Sequence, residues 1–153
     1  MGTWRAWVWT FVGVQAAGVV VDAIWHGLLH PGFEPQTFGE TVQHLATVHL
    51  LLYLGVLGLC AVTAWALFAR SQPPGTGIAL PLAFAGALLQ LGGEVWHAYV
   101  HLQLRPSPFP ELIGFVGLAV LLGATIAAGR GARHHAADAR RFGDGAARHQ
   151  PRG

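Results

Sequence analysis

Six histidines and two carboxylates recur at intervals that a helix turns into stripes. Asp22, His26 and His30 stand four residues apart, with Gln15 seven residues upstream. Gln90, Glu94, His97 and His101 follow one another at four, three and four. On a 3.6-residue helix each set lies on one face. Neutral imidazole is a common ligand for zinc, copper, iron and nickel. Two histidines at i and i+4 can chelate one ion, and a nearby carboxylate either ligates it or orients a ligating ring. Glu94-Val95-Trp96-His97 has the Glu-x-x-His spacing of carboxylate-bridged di-iron bundles. The other helices lack matching buried glutamates, so a His-rich mono- or dinuclear centre of copper, iron or zinc is the better reading. His44 and His49 are five apart and diverge by about 140° on a regular helix. His44 joins the others only if it occupies a surface turn. The candidate ligands are therefore Asp22, His26, His30, His44, His49, Glu94, His97 and His101.

The elements that position these residues follow from composition. Only 10% of the 153 residues are charged, against about 25% in an ordinary soluble domain. Hydrophobic residues make up 53% and mean hydropathy is +0.46, while the 9 histidines equal all the lysines and arginines together. That balance argues against a soluble enzyme, a nucleic-acid binder and a disordered tail protein. Four apolar stretches, at about 7–29, 44–69, 78–102 and 111–128, approach the roughly 20 residues that cross a bilayer. They predict an all-α integral membrane four-helix bundle. His30-Pro31-Gly32, Gln72-Pro73-Pro74-Gly75 and the prolines 106, 108 and 110 separate them. Pro110 before Glu111 suits a helix start. Thr37 and Glu40 have capping-box spacing, so the second helix is expected to begin on the membrane surface. The single Cys60 excludes an internal disulfide and any multi-cysteine metal site. Trp4, Trp7 and Trp9 would mark one interface, and Trp25 and Trp96 the other.

Arginine placement sets the direction. Arg5, Arg70 and the six arginines after the last apolar stretch share one side, and Arg105 alone faces the other. The positive-inside rule places both termini in the cytoplasm of a multi-pass protein of the bacterial inner (plasma) membrane. The first stretch is too long for a signal peptide and carries Gln15 and Asp22, so it reads as retained. Residues 130–153 read as a disordered Arg/His-rich cytoplasmic tail, with His134, His135 and His149 in solvent. This topology gathers His26, His30, His44, His49, His97 and His101 at the extracytoplasmic end. Two layers are expected: His30, His44 and His101 shallow, and His26, His49 and His97 deeper, bordered by Asp22 and Glu94. The fourth helix offers only Glu111 there and packs through Gly114, Gly117 and Gly123.

Trp25-His26-x-x-x-His30 matches Trp96-His97-x-x-x-His101 at 71 residues' distance, the mark of two duplicated hairpins. Asp22-x-x-Trp25-His26, an acidic loop and His49-Leu50-Leu51-Leu52-Tyr53 resemble a pattern in small His-rich multi-span bacterial membrane proteins. The resemblance covers the first two helices and 94–101. It implies that Asp22, His26 and His49 act as a unit, and it carries no reaction over. The alternatives to a metal centre open to redox or oxygen chemistry are three. A b-type cytochrome would hold bis-His haem between His26 or His49 and His97, with Gly18, Gly27, Gly55, Gly92 and Gly93 around the macrocycle. A transporter or accessory subunit, in a homo-oligomer or a larger membrane complex, is the second. A pH-sensitive structural cluster is the third.

Overall fold

The computed structural model describes the backbone of residues 3–69, 77–105 and 107–148, and the side chains from 4 to 133 among these. The described residues contain helices and no strand. Helix α1 is Thr3–Ile24, followed by a π-helical turn over Trp25–Leu29. Helix α2 is Phe38–Thr47, α3 is Leu50–Phe68, α4 is Ala79–Leu102 and α5 is Phe109–Arg148. Four segments are long and apolar enough to span a bilayer: Trp4–Leu29, Leu50–Phe68, Ala79–Leu102 and Phe109–Arg133. They form a four-helix bundle in which α1 packs on α3, α3 on α4 and α4 on α5. Neighbours run antiparallel. Large apolar side chains such as Leu57, Trp65, Val95 and Val116 stay exposed on the outer faces, as lipid contact requires.

Backbone contact through glycine builds both hairpins. A Cβ at Gly55 would stand 2.6–2.8 Å from Gln15, and one at Gly117 would stand 2.5 Å from the Gln90 nitrogen. Gly18 meets the Leu52 backbone, and Gly93 meets Gly114 and Pro110. With no hydrophobic gain between helices in lipid, such close approach maximises dispersion contact. Gly123, expected in the same role, has open space around its Cβ position. Gly114 and Gly117 do the packing without it.

At one end Trp4, Val8, Leu59, Ala66, Leu80, Ala87, Leu121 and Ala128 form an apolar core. Trp4 is buried there rather than at an interface. The Arg5 guanidinium lies against Gly129, so the start of α1 and the end of the last span share this end. Helix α5 runs on to Arg148 through a stretch dominated by Ala and Arg, both strong helix formers. Arg70, Gln72 to Gly75, Pro106, His149 and Arg152 lie outside the described residues.

The second span divides in two. Thr37 caps α2, its hydroxyl accepting from the Glu40 N–H at 3.2 Å, while the Glu40 carboxylate accepts from the Gln36 N–H at 2.8 Å. The chain then breaks at Val48 and His49, where His49 takes φ −90° and ψ 0° before α3 begins. One helix over 44–69 is thus two. The break removes the angular conflict between His44 and His49.

Candidate metal centre

Four elements bring donor atoms to one point. Asp22 comes from the last turn of α1, His26 from the π-helical turn, His44 from α2 and His49 from the start of α3. His26 Nε2 lies 3.3 Å from His44 Nε2, which lies 3.2 Å from His49 Nε2. Asp22 Oδ1 stands 3.5 Å from both His26 Nε2 and His49 Nε2. All four donors fall within 4.8 Å of one another. Corners of a tetrahedron 2.0–2.1 Å from a central ion stand about 3.3–3.4 Å apart. The four edges of 3.2–3.5 Å bracket that value. Hydrogen bonding alone serves the group less well. Asp22 Oδ1 and His44 Nδ1 are buried with no hydrogen-bond partner, although the carboxylate oxygen faces two imidazoles.

His44 and His49, which lie outside the spans, are held neutral. Burial, then the neighbouring His26, lowers the pKa of His44 against an opposing pull from Asp22. Burial, then His97 and His44, pushes His49 down to about 3. At pH 7 the lone pair of each ring is free to ligate.

His30, on the same stripe in a regular helix, does not reach this point. The His30 N–H bonds to the Trp25 carbonyl at 2.8 Å, five residues back. A π turn carries more residues per turn than an α-helix, so it rotates His30 off the Asp22–His26 line. His30 is exposed and stacks on Trp25, 4.5 Å between ring centroids. His30-Pro31-Gly32-Phe33 then closes a turn with Gly32 at φ 75° and a 3.1 Å bond from the Phe33 N–H to the His30 carbonyl. Pro and Gly in the two central positions are the signature of a type II turn. Phe33 and Trp25 pack edge to face at 5.0 Å, and Trp25 covers the His44 ring at 4.7 Å.

The imidazoles continue across the bundle. His49 lies 5.5 Å from His97, and His97 lies 4.4 Å from His101, ring to ring. His97 is buried with neither ring nitrogen hydrogen-bonded. Its Nδ1 is 3.6 Å from Glu111 Oε1, a residue the sequence reading left out of the ligand set. The two-layer arrangement also changes, because the shallow His44 bonds to both deep residues His26 and His49. Glu94 lies lower, beside Gly114.

Two cavities meet at the cluster. One of about 610 Å³ opens at the histidine end and is lined by Asp22, His26, His49, His97, His101 and Glu111 among others. A smaller one of about 150 Å³ runs on toward Gln15, Gln90 and Glu94. Asp22, His49, His97 and Glu111 border both. Three of the five glycines expected to flank a haem, Gly18, Gly55 and Gly93, are instead filled by neighbouring backbone; Gly27 and Gly92 face open space. No family model, curated protein or solved structure matches the chain.

Proposed function

We propose that this multi-pass membrane protein is a metalloprotein whose Asp22, His26, His44 and His49 hold one transition-metal ion, copper, iron or zinc. The observation that carries the reading is the closed ring of donors at 3.2–3.5 Å edges. Three imidazoles and one carboxylate are borderline donors suited to these metals rather than to calcium or magnesium. Convergence on one point favours a single ion over the flat macrocycle of a bis-His haem, for which Gly18, Gly55 and Gly93 leave no space. The arginine distribution supports cytoplasmic termini with the ion near the extracytoplasmic face, and the resemblance to small bacterial membrane proteins supports a bacterial plasma-membrane location. A cavity opening at that end suits exchange with solvent or entry of a small reactant, the setting of a redox or oxygen chemistry.

Metal analysis and an absorbance spectrum of the purified full chain test the reading. Wild type should carry metal without a Soret band. His44→Ala and Asp22→Asn should lose the ion, whereas His30→Ala should retain it. Metal-free wild type, or equal content in all variants, would overturn the assignment, and a Soret band would replace it with the haem reading.

A further inference from the structure

The two hairpins share one packing register. On the outgoing helices Gln15 and Gly18 of α1 correspond to Gln90 and Gly93 of α4, each 75 residues later. On the returning helices Leu52 and Gly55 of α3 correspond to Gly114 and Gly117 of α5, each 62 residues later. The contacts correspond as well: Gly18 on Leu52 repeats as Gly93 on Gly114, and Gln15 on Gly55 as Gln90 on Gly117. This register differs from the 71-residue echo of the Trp-His motif, which compares a π-helical turn with a regular helix.

Extended toward the histidine end, the same offsets pair Asp22 with His97, His26 with His101 and His49 with Glu111. Carboxylate and imidazole have exchanged places across the repeat. Asp22 faces His49 at 3.5 Å, and His97 faces Glu111 at 3.6 Å. In the first hairpin α2 adds a fourth donor, His44. In the second the described residues place no such helix between α4 and α5.

We propose that His97, His101 and Glu111 form a second cation site, so that the protein carries a pair of ions in quasi-equivalent half-sites. Among the described residues the Asp22 group alone has all its donors within 4.8 Å, and here the half-exposed Glu111 carboxylate closes onto the two rings when the ion binds. The proposal deepens the reading of the first site and rests on it. His97 is the independent sign of a ligand: it is 7% exposed, and both its ring nitrogens lack a partner. Two histidines and one carboxylate are the donor set of non-haem iron(II) centres that keep coordination positions open. His97, His101 and Glu111 all line the cavity of about 610 Å³, so those positions face the entering reactant. The four-donor half-site is coordinatively filled and the three-donor half-site is where a small ligand binds. The ion it selects is a divalent first-row transition metal.

Titration of the full-length apo-protein with Co²⁺, read by visible absorption and by metal-to-protein ratio, tests the pair. Wild type should bind two ions per chain. Glu111→Gln and His101→Gln should each weaken one ion at least ~10-fold and keep the other. His44→Ala should show the reverse, losing the other ion. Glu111 is half exposed and its replacement is isosteric, and the retained ion itself reports a folded bundle. One ion in wild type that vanishes in His44→Ala but survives Glu111→Gln overturns the second site and leaves the first reading standing. Two ions in both Glu111→Gln and His101→Gln also overturn it. No ion in wild type overturns both.

Discussion

The two ends of the bundle treat buried polar groups in opposite ways. At the apolar end the buried hydroxyls of Thr63 and Thr125 bond to the carbonyls of Leu59 and Leu121, four residues back on their own helices, at 2.7 and 2.8 Å. Among the described residues no buried side-chain oxygen or nitrogen there lacks a partner. Toward the histidine end and the middle of the bundle, buried atoms of Gln15, Asp22, His44, Tyr53, Gln90 and His97 have no hydrogen-bond partner. Each buried group left unsatisfied costs roughly 1–3 kcal/mol. The contrast teaches that this chain can satisfy its polar groups locally and does so where only packing is needed. Of these, Gln15, Asp22, Gln90 and His97 line the two cavities, where a ligand or an ion would complete them.

The largest effect expected from the comparison lies at the end without chemistry. Leu121 is fully buried in the apolar core. Leu121→Ala should destabilise the bundle by about 2–5 kcal/mol through the cavity it leaves. Thermal unfolding in detergent would measure this loss, with metal content per folded chain unchanged. A parallel fall in metal content would mean that the two ends are not independent.

Removing the ion probes the other end. If the centre is occupied at a hundred times its dissociation constant, the ion contributes about 2.7 kcal/mol to the folded state. A strong chelator should therefore lower the unfolding temperature of wild type by more than that of His44→Ala, which has already lost this ion. Equal shifts in both proteins would show that the chelator acts elsewhere.

The glycine seams that hold both ends allow a finer test. Alanine at Gly117 puts a Cβ 2.5 Å from the Gln90 nitrogen and 2.7 Å from the Gly86 carbonyl, so α4 and α5 must separate. Overpacking of this kind costs typically about 1–3 kcal/mol. Gly123→Ala meets nothing and should be neutral or slightly stabilising through helix propensity. Similar losses in the two variants would remove Gly117 from the seam.

Most of the architecture is legible in the chain because each span is a long apolar run bounded by proline or glycine. The site is legible only in part, for reasons of local geometry. Asp22 and His26 share a face in any helix, so their spacing alone pairs them. His30 needed a regular helix and met a π turn. His44 and His49 looked divergent because a single helix was assumed, and the break at Val48 and His49 turns both rings toward Asp22 and His26. Glu111 was visible as the one acid at the start of the last span. Its contact with His97 depends on how closely Gly93 and Gly114 bring α4 and α5 together, and sequence periodicity carries no such distance. The repeat shows the same limit: the Trp-His motif is conspicuous in sequence, whereas the packing register is carried by glutamines and glycines.

The smallest expected effect concerns how α4 stops above His101. The Leu104 N–H bonds to the His101 carbonyl at 2.9 Å, and the Arg105 N–H bonds to the Val100 carbonyl at 3.0 Å. This is the double bond of a Schellman cap, whose left-handed position normally holds glycine. Here it is Leu104, at φ 54°. A left-handed conformation costs a residue with a Cβ roughly 1–2 kcal/mol. Strain of this sort is retained where surrounding structure over-determines the backbone, and Leu104 lines the outer cavity beside His97 and His101. Leu104→Gly should relieve the strain and raise stability by about 1 kcal/mol, less the contacts of a half-exposed leucine. If the leucine serves only the helix end, metal stoichiometry and azide binding to the Co²⁺-loaded protein stay as in wild type while the unfolding temperature rises. If it shapes the mouth of the cavity, azide affinity changes with stoichiometry intact, and the histidine end then holds a residue kept under strain for access rather than for packing.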